Sequence, residues 1–320
     1  MKNIAILLCC FILLSSCNNP KAGKEAPKAQ LFPYIEEPAM LGNQVRKNQY
    51  IVKHFWDRYF DLSRNYSHDT TLVGGVSKEN FTKAYAMYVS YLETASLSNM
   101  RSAQDTLLYK AEQKELFEPE SIIWETVLSL SDTYLFDPNS PYRNEEFYLP
   151  VIEKALASSI VDEDTKEHYR YLLPLCSLNR LGTPAADFTY TLKNGRTGSL
   201  YKVHSDYTLL FFSNPGCHNC KEIIDALSSS QEVSDLLKSG KLSVLNIYPD
   251  ADLSEWYDYM SHYPDTWING FDQDLVLNSH TIYYIRAIPS LYLLDKDKKV
   301  IFKDAPPEKI IQFLVYLRNS

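Results

Sequence analysis

Tyr207-Thr208-Leu209-Leu210-Phe211-Phe212-Ser213-Asn214-Pro215-Gly216-Cys217-His218-Asn219-Cys220-Lys221-Glu222-Ile223-Ile224-Asp225-Ala226-Leu227 is the stretch on which the fold turns. Its first seven residues are apolar and β-prone, which predicts a buried strand. Asn214-Pro215-Gly216 breaks that pattern. Downstream the apolar residues recur three and four apart, the spacing of a helix. The first cysteine is therefore expected at a helix N-terminus. There the unpaired backbone N–H groups and the helix dipole favour a thiolate over a thiol. A Cys-x-x-Cys at that place suits disulfide exchange and needs no other cofactor.

The N-terminus bears on where such chemistry would operate. Lys2 precedes an apolar run, Ile4 to Leu14, too short and one-sided for a spanning helix. The run ends in Leu14-Ser15-Ser16-Cys17, which looks like a bacterial lipobox, with small residues before a cysteine that would receive a diacylglycerol. Residues 1–16 are expected to be removed as a lipoprotein signal peptide, leaving Cys17 lipidated. An ordinary signal peptide cut near Ser16 is the plainer alternative. The expected address is extracytoplasmic, lipid-anchored to a bacterial membrane in the periplasm or at the outer membrane, where disulfide chemistry is at home.

Of 320 residues, 45% are hydrophobic and 22% charged, so a full core can be buried, and the length suggests about two domains. The formal charge of −8 argues against nucleic acid as a partner. The 24 tyrosines suit helices packed at half-wet interfaces. Of six cysteines, Cys9 and Cys10 would leave with the leader, Cys17 would carry lipid, and Cys217 with Cys220 make the redox pair. Cys176, in Leu172-Leu173-Pro174-Leu175-Cys176, reads as a buried, inert thiol.

Residues 17–42 carry Pro20, Pro27, Pro33 and Pro38 and read as a lipidated, extended tether. Residues 43–181 read as an all-α domain. Tyr50, Ile51, Phe55, Tyr59 and Leu62 recur at helical spacing, as do Phe81, Tyr85, Tyr88 and Leu92 behind Ser77 as N-cap. Further helices are expected over 121–136, 147–160 and 165–178, with breaks at Gly74-Gly75, Pro119 and 137–141. His54 and His168 stand alone. From Gly182 the periodicity changes: Phe188 to Leu192 precedes the hairpin signal Asn194-Gly195. Strands are expected over 207–213, 242–248, 290–294 and 299–302, an inserted helical segment over 253–271, and a last helix from Pro307. Residues 182–320 thus form an α/β layer fold.

Gly182-Thr183-Pro184-Ala185-Ala186-Asp187-Phe188, Phe211-Phe212, Cys217-His218-Asn219-Cys220 and Ile288-Pro289 resemble the TlpA/ResA-like branch of the thioredoxin superfamily. The whole arrangement, with His54-Phe55-Trp56-Asp57 in the helical part, resembles a family of Bacteroidota lipoproteins with an N-terminal domain of unknown function. The resemblance implies a thioredoxin-like fold at the C-terminus and a thiol-disulfide oxidoreductase. Cys217 matches the nucleophile and Cys220 the resolving cysteine. Pro289 matches the cis-proline facing the active-site disulfide, and Ile288 before it leans toward a reductase. Protein thiols and disulfides would be the partners, with a membrane electron donor to restore the dithiol. Ile288, Pro289 and His218 are the expected substrate-binding residues.

The chain also departs from the family. Gly216 stands where a tryptophan is common. Phe211 stands where thioredoxin has a buried acid, and about Val244 where that acid has its lysine. Asn219 holds the place a histidine takes in strongly oxidising relatives. Only a moderate lowering of the Cys217 pKa is therefore expected, with His218 adding charge when protonated. Zinc would need ligands that a single Cys-x-x-Cys does not supply. Pro215-Gly216-Cys217 lacks the peroxiredoxin constellation. A redox-inactive adaptor, whose helical domain carries the main function, is the reading from a different class.

Overall fold

The computed structural model describes residues 28–66, 69–279 and 281–319. The leader and Cys17 lie outside the described residues. No described helix is long and apolar enough to cross a membrane.

Asn43 caps the first helix, α1 (Gln44–His54), by accepting from the Arg46 N–H at 2.9 Å. The helix stops at His54, whose Nδ1 meets Asp57 at 2.7 Å, and the chain continues in turns. Phe55, Trp56 and Tyr59 are buried there, whereas Leu62, expected on the same face, is exposed. The tether expected through residue 42 is shorter than that. The Gln30 N–H donates to the Gly75 carbonyl, and Phe32 is 5% exposed, stacked on Tyr59 at 5.3 Å between ring centroids. Prolines suggested a free linker. One aromatic in an apolar socket, worth about 2 kcal/mol, outweighs that tendency.

Gly74-Gly75 turns a two-stranded hairpin, β1 (Leu72–Val73) and β2 (Val76–Ser77), within the otherwise helical domain. Both glycines have positive φ, and a side chain at Gly74 would strike the Tyr59 hydroxyl. Ser77 caps α2 (Lys78–Leu92) by accepting from the Asn80 N–H. Next comes α3 (Leu97–Phe117), which the sequence reading did not delimit. Its buried face mixes Met100, Leu107 and Leu108 with Gln104 and Glu112, so the apolar stripe is broken. Gln104 donates to the Phe147 carbonyl at 3.0 Å, and Glu112 pairs with Lys154. Then follow α4 (Ile123–Ser131), a π turn over Asp132–Phe136, α5 (Glu145–Ala157) and α6 (Glu163–Cys176). Tyr85, Tyr88, Tyr148 and Trp124 fill the core, with the Tyr85 hydroxyl 2.8 Å from Ser131 Oγ.

Gly182 and Thr183 bond to Val300, fastening the linker to the edge of the second domain. That domain contains β3 (Thr189–Leu192), β4 (Thr197–Ser199), β5 (Tyr207–Phe212), α7 (His218–Ser229), α8 (Gln231–Lys238), β6 (Leu242–Tyr248), α9 (Leu253–Tyr259), β7 (Ile268–Phe271), β8 (Ser290–Asp295), β9 (Val300–Phe302) and α10 (Pro307–Asn319). The strands form one sheet in the order β4-β3-β7-β6-β5-β8-β9. β5 runs parallel to β6 and antiparallel to β8, so the strand that delivers the cysteines is central. One face packs under α7, α8, α9 and α10 through Leu209, Phe211, Ile223, Leu236, Trp256 and Ile310. The other holds Phe188, Phe212, Ile247, Tyr283 and Tyr292.

The inserted helical segment expected over 253–271 needs correction. The helix ends at Tyr259, one 3-10 turn follows, and Ile268–Phe271 is a strand between β3 and β6. Asn269 hid it: its side chain is polar where a strand should be apolar, because it accepts from Asn246 Nδ2 at 3.1 Å.

A buried ionic cluster joins the two domains. Glu145 of the helical domain pairs with Lys303 and lies 3.5 Å from Arg286 Nε. Arg286 also reaches Asp304 at 2.7 Å. Within the helical domain, Arg180 grips Glu146 through two nitrogens. Burial pushes the Glu145 carboxyl above its ordinary range, with Lys303 and Arg286 pulling the other way.

Candidate active site

The active turn follows from three residues. Pro215 fixes φ at the second place of a β-turn, and Gly216 supplies φ +70° at the third. The Cys217 N–H closes the turn on the Asn214 carbonyl at 3.3 Å. No atom lies within 4 Å of where a Gly216 Cβ would sit, so the backbone angle alone demands glycine.

That turn makes Cys217 the N-cap of α7. Its Sγ accepts from the Cys220 N–H at 3.2 Å, the bond a capping oxygen would make. The two cysteines are joined as a disulfide with Cα atoms 5.2 Å apart. Cys217 is half-buried, while Cys220 is 2% exposed and packs into the core under α7. One sulfur can therefore meet a partner and the other can act only from behind it.

Ile288–Pro289 is a cis peptide, immediately before β8. It lines a cavity of about 530 Å³ together with Asn219, Glu222 and Ile223 of α7. Asn219 thus lines the cavity that Ile288 and Pro289 also line, a place the sequence reading did not give it. His218, expected to contact substrate, does not line that cavity, and neither cysteine does, although the lining residue Asn219 is the chain neighbour of Cys220. Its side chain is 83% exposed and its Nε2 lies 3.3 Å from Glu222. The spacing i, i+4 explains this turn away from the cysteines.

Phe211 and Val244 are both buried beneath α7. The face of β5 toward the cysteines is apolar at Leu209 and Phe211 and turns polar only at Ser213, whose Oγ donates to Asn246 at 2.5 Å. Cys176 is buried in the helical core, and burial, then the charge of Glu145, push its thiol up to about 12.

Residues 15–179 match a domain of unknown function (DUF5106), and residues 205–300 match a thioredoxin-like family. A thioredoxin-like protein from Bacteroides caccae is similar over 90% of this chain and 99% of its own, at 36% identity and a TM-score of 0.77. The C-terminal domain of an uncharacterized protein from Bacteroides fragilis is 48% identical over 42% of this chain and 97% of its own, with a TM-score of 0.41. A domain of a possible thiol-disulfide isomerase from Cytophaga hutchinsonii is 27% identical over 45% of this chain and 96% of its own, with a TM-score of 0.37. No curated protein matches.

Proposed function

Because the chain belongs to the thioredoxin-like proteins that carry an N-terminal DUF5106 domain, we propose that it is a membrane-anchored, extracytoplasmic thiol-disulfide reductase. The observation that carries the reading is the pair itself: Cys217 caps a helix, Cys220 is buried one turn on, and a cis-proline lines a cavity shared with that helix.

In the reduced protein the Cys217 thiolate attacks one sulfur of a partner disulfide. The partner S–S bond breaks, its second sulfur leaves and takes a proton, and a mixed disulfide remains. Cys220 loses its proton and attacks Cys217 Sγ, forming the intramolecular disulfide and expelling the partner as a dithiol. Two electrons pass to the partner, so a dithiol donor at the membrane has to restore the pair. Ile288 and Pro289 hold the partner backbone against Cys217. The lipobox ending at Cys17 supports a lipid anchor, and the oxidising space outside the cytoplasm supplies the substrates.

A Cys220→Ser variant, unable to resolve, accumulates mixed disulfides with client proteins in cells. Capture of none, together with normal growth of a Cys217→Ala/Cys220→Ala strain under conditions where the deletion fails, supports the adaptor reading instead. Labelling with palmitate that persists in Cys17→Ser removes the anchor.

A further inference from the structure

The cavity beside the cis-proline has a wall that the thioredoxin-like domain does not supply. Pro138, Asn139 and Arg143, in the loop between the π turn and α5, line it together with residues of α7 and α10. We propose that this loop is a fixed wall of the substrate groove, and that the groove takes an extended cysteine-bearing segment with a lysine or arginine next to its cysteine. The proposal rests on the redox reading above and adds the client's chemistry and a task for the helical domain.

The wall is held to the floor by shared bonds. Arg286, two residues before Ile288, donates to the carbonyl of Phe136, the residue before the loop. Asp304 accepts from Arg286 at 2.7 Å and from Ser290 Oγ at 2.9 Å, so one carboxylate grips both sides of the cis peptide. The Asp304 carbonyl accepts from Arg143 Nε at 2.8 Å. Within the loop, Asp137 Oδ1 accepts from the Asn139 N–H at 2.7 Å, and Ser140 Oγ donates to the Tyr134 carbonyl at 2.6 Å. Wall and floor are therefore one preformed unit. A slot of this kind admits an extended chain better than a folded surface.

Charge decides the client. Three ionisable residues line the cavity: Arg143, Glu222 and Glu308. Arg143 is largely buried, and its guanidinium is spent inward on Asp304 and on the Ser140 carbonyl at 3.3 Å. Glu222 on α7, which His218 Nε2 approaches at 3.3 Å, and Glu308 on α10, whose charge Arg143 feels, are exposed carboxylates, so the lining holds two negative groups to one positive. The opening is thus anionic, and a cation beside the client's cysteine complements it. Two such partly screened pairs give about a fivefold preference at low salt.

The test uses the full-length protein, reduced, with two peptide disulfides that differ only in lysine or glutamate beside the cysteine. The reading is the ratio of the two rates of active-site oxidation. The lysine peptide is expected to react about fivefold faster, with the advantage fading at high salt. Asn139→Arg should cancel or invert the ratio, Asn139→Glu should raise it, and Glu222→Gln with Glu308→Gln should bring it near unity. A ratio that neither Asn139 variant moves overturns the wall. A ratio that survives loss of both glutamates overturns the charge assignment. Bis(2-hydroxyethyl) disulfide separates the two readings: if the wild type does not reduce it, the redox reading fails. The groove is then read by anisotropy with labelled peptides carrying serine for cysteine. Lysine-selective binding that Asn139→Arg abolishes upholds the groove, and failure of both peptides to bind overturns it.

Discussion

The guanidinium of Arg286 lies 4.6 Å from the ring centroid of Phe136 and donates to the carbonyl of the same residue. The two residues are 150 positions apart and come from different domains. Arg286 stands two residues before Ile288 of the cis peptide, so the helical domain grips the thioredoxin-like domain at the segment leading into that peptide. A binding surface built this way depends on both halves of the chain.

Arg286→Met tests that grip. Among the described residues the change leaves Lys303 as the cation paired with Glu145 and Arg143 as the cation paired with Asp304, all of them largely buried. Breaking a buried pair by removing one partner costs about 3–5 kcal/mol. Urea unfolding is expected to shift to lower denaturant, with one transition splitting into two as the domains separate. A single transition with a loss under about 1 kcal/mol would show that the cluster does not couple them.

Most of this architecture was legible because its signals are local. Ser77 as N-cap, Asn194-Gly195 as a turn, and strand–turn–helix around Cys217 each rest on residues within a few positions of one another. What escaped depends on partners far along the chain. The α3 helix buries Gln104 and Glu112 because Phe147 and Lys154 receive them. The β7 strand is polar at Asn269 because Asn246 answers it. Phe32 left no sign of order among prolines, since its socket is made by residues 55 to 81. At the site, the spacing of the cysteines could be read directly, and Ile288-Pro289 through the family resemblance. The loop at Pro138–Asn139 could not, because only the interdomain cluster brings it to the groove.

Cys176 should behave as an inert thiol. Burial, and secondarily Glu145, hold its pKa near about 12, so no thiolate forms at neutral pH. Iodoacetamide on the native, reduced protein is expected to modify Cys217 within minutes and to leave Cys176 unmodified until denaturant is added, as read by peptide mass. Modification of Cys176 under native conditions would mean that the α6 end opens readily.

Glu115 should make stability depend on pH. Partial burial raises its pKa from the ordinary 4.5 to about 6, against the bond from the Trp124 N–H, and Glu125 adds to the rise. The folded state therefore holds this proton more tightly than the unfolded state. The contribution is favourable below pH 4.5 and is lost as pH rises through about 6. Glu115→Gln keeps an acceptor for Trp124 without the charge. Allowing for screening, the variant should gain about 1 kcal/mol on wild type between pH 4.5 and 7, read by denaturant midpoints. An equal difference at both pH values would remove the assignment.

The attacking sulfur should be set by backbone geometry more than by side chains. Sγ of Cys217 already accepts the Cys220 N–H, and His218 points away toward Glu222. On reduction, the same N–H and the α7 dipole stabilise the thiolate form. The alkylation rate of Cys217 is accordingly expected to level off at a lower pH than that of the same thiol in the unfolded chain. His218→Ala should move that plateau by less than about half a unit, since an exposed imidazole is well screened. Gly216→Ala should act oppositely. It strains a backbone at φ +70° by about 1 kcal/mol, and relief of that strain turns the Cys217 sulfur off the helix end, moving the plateau to higher pH. If His218→Ala shifts the plateau by a full unit while Gly216→Ala leaves it in place, the imidazole and not the capping geometry sets the reactivity of this sulfur.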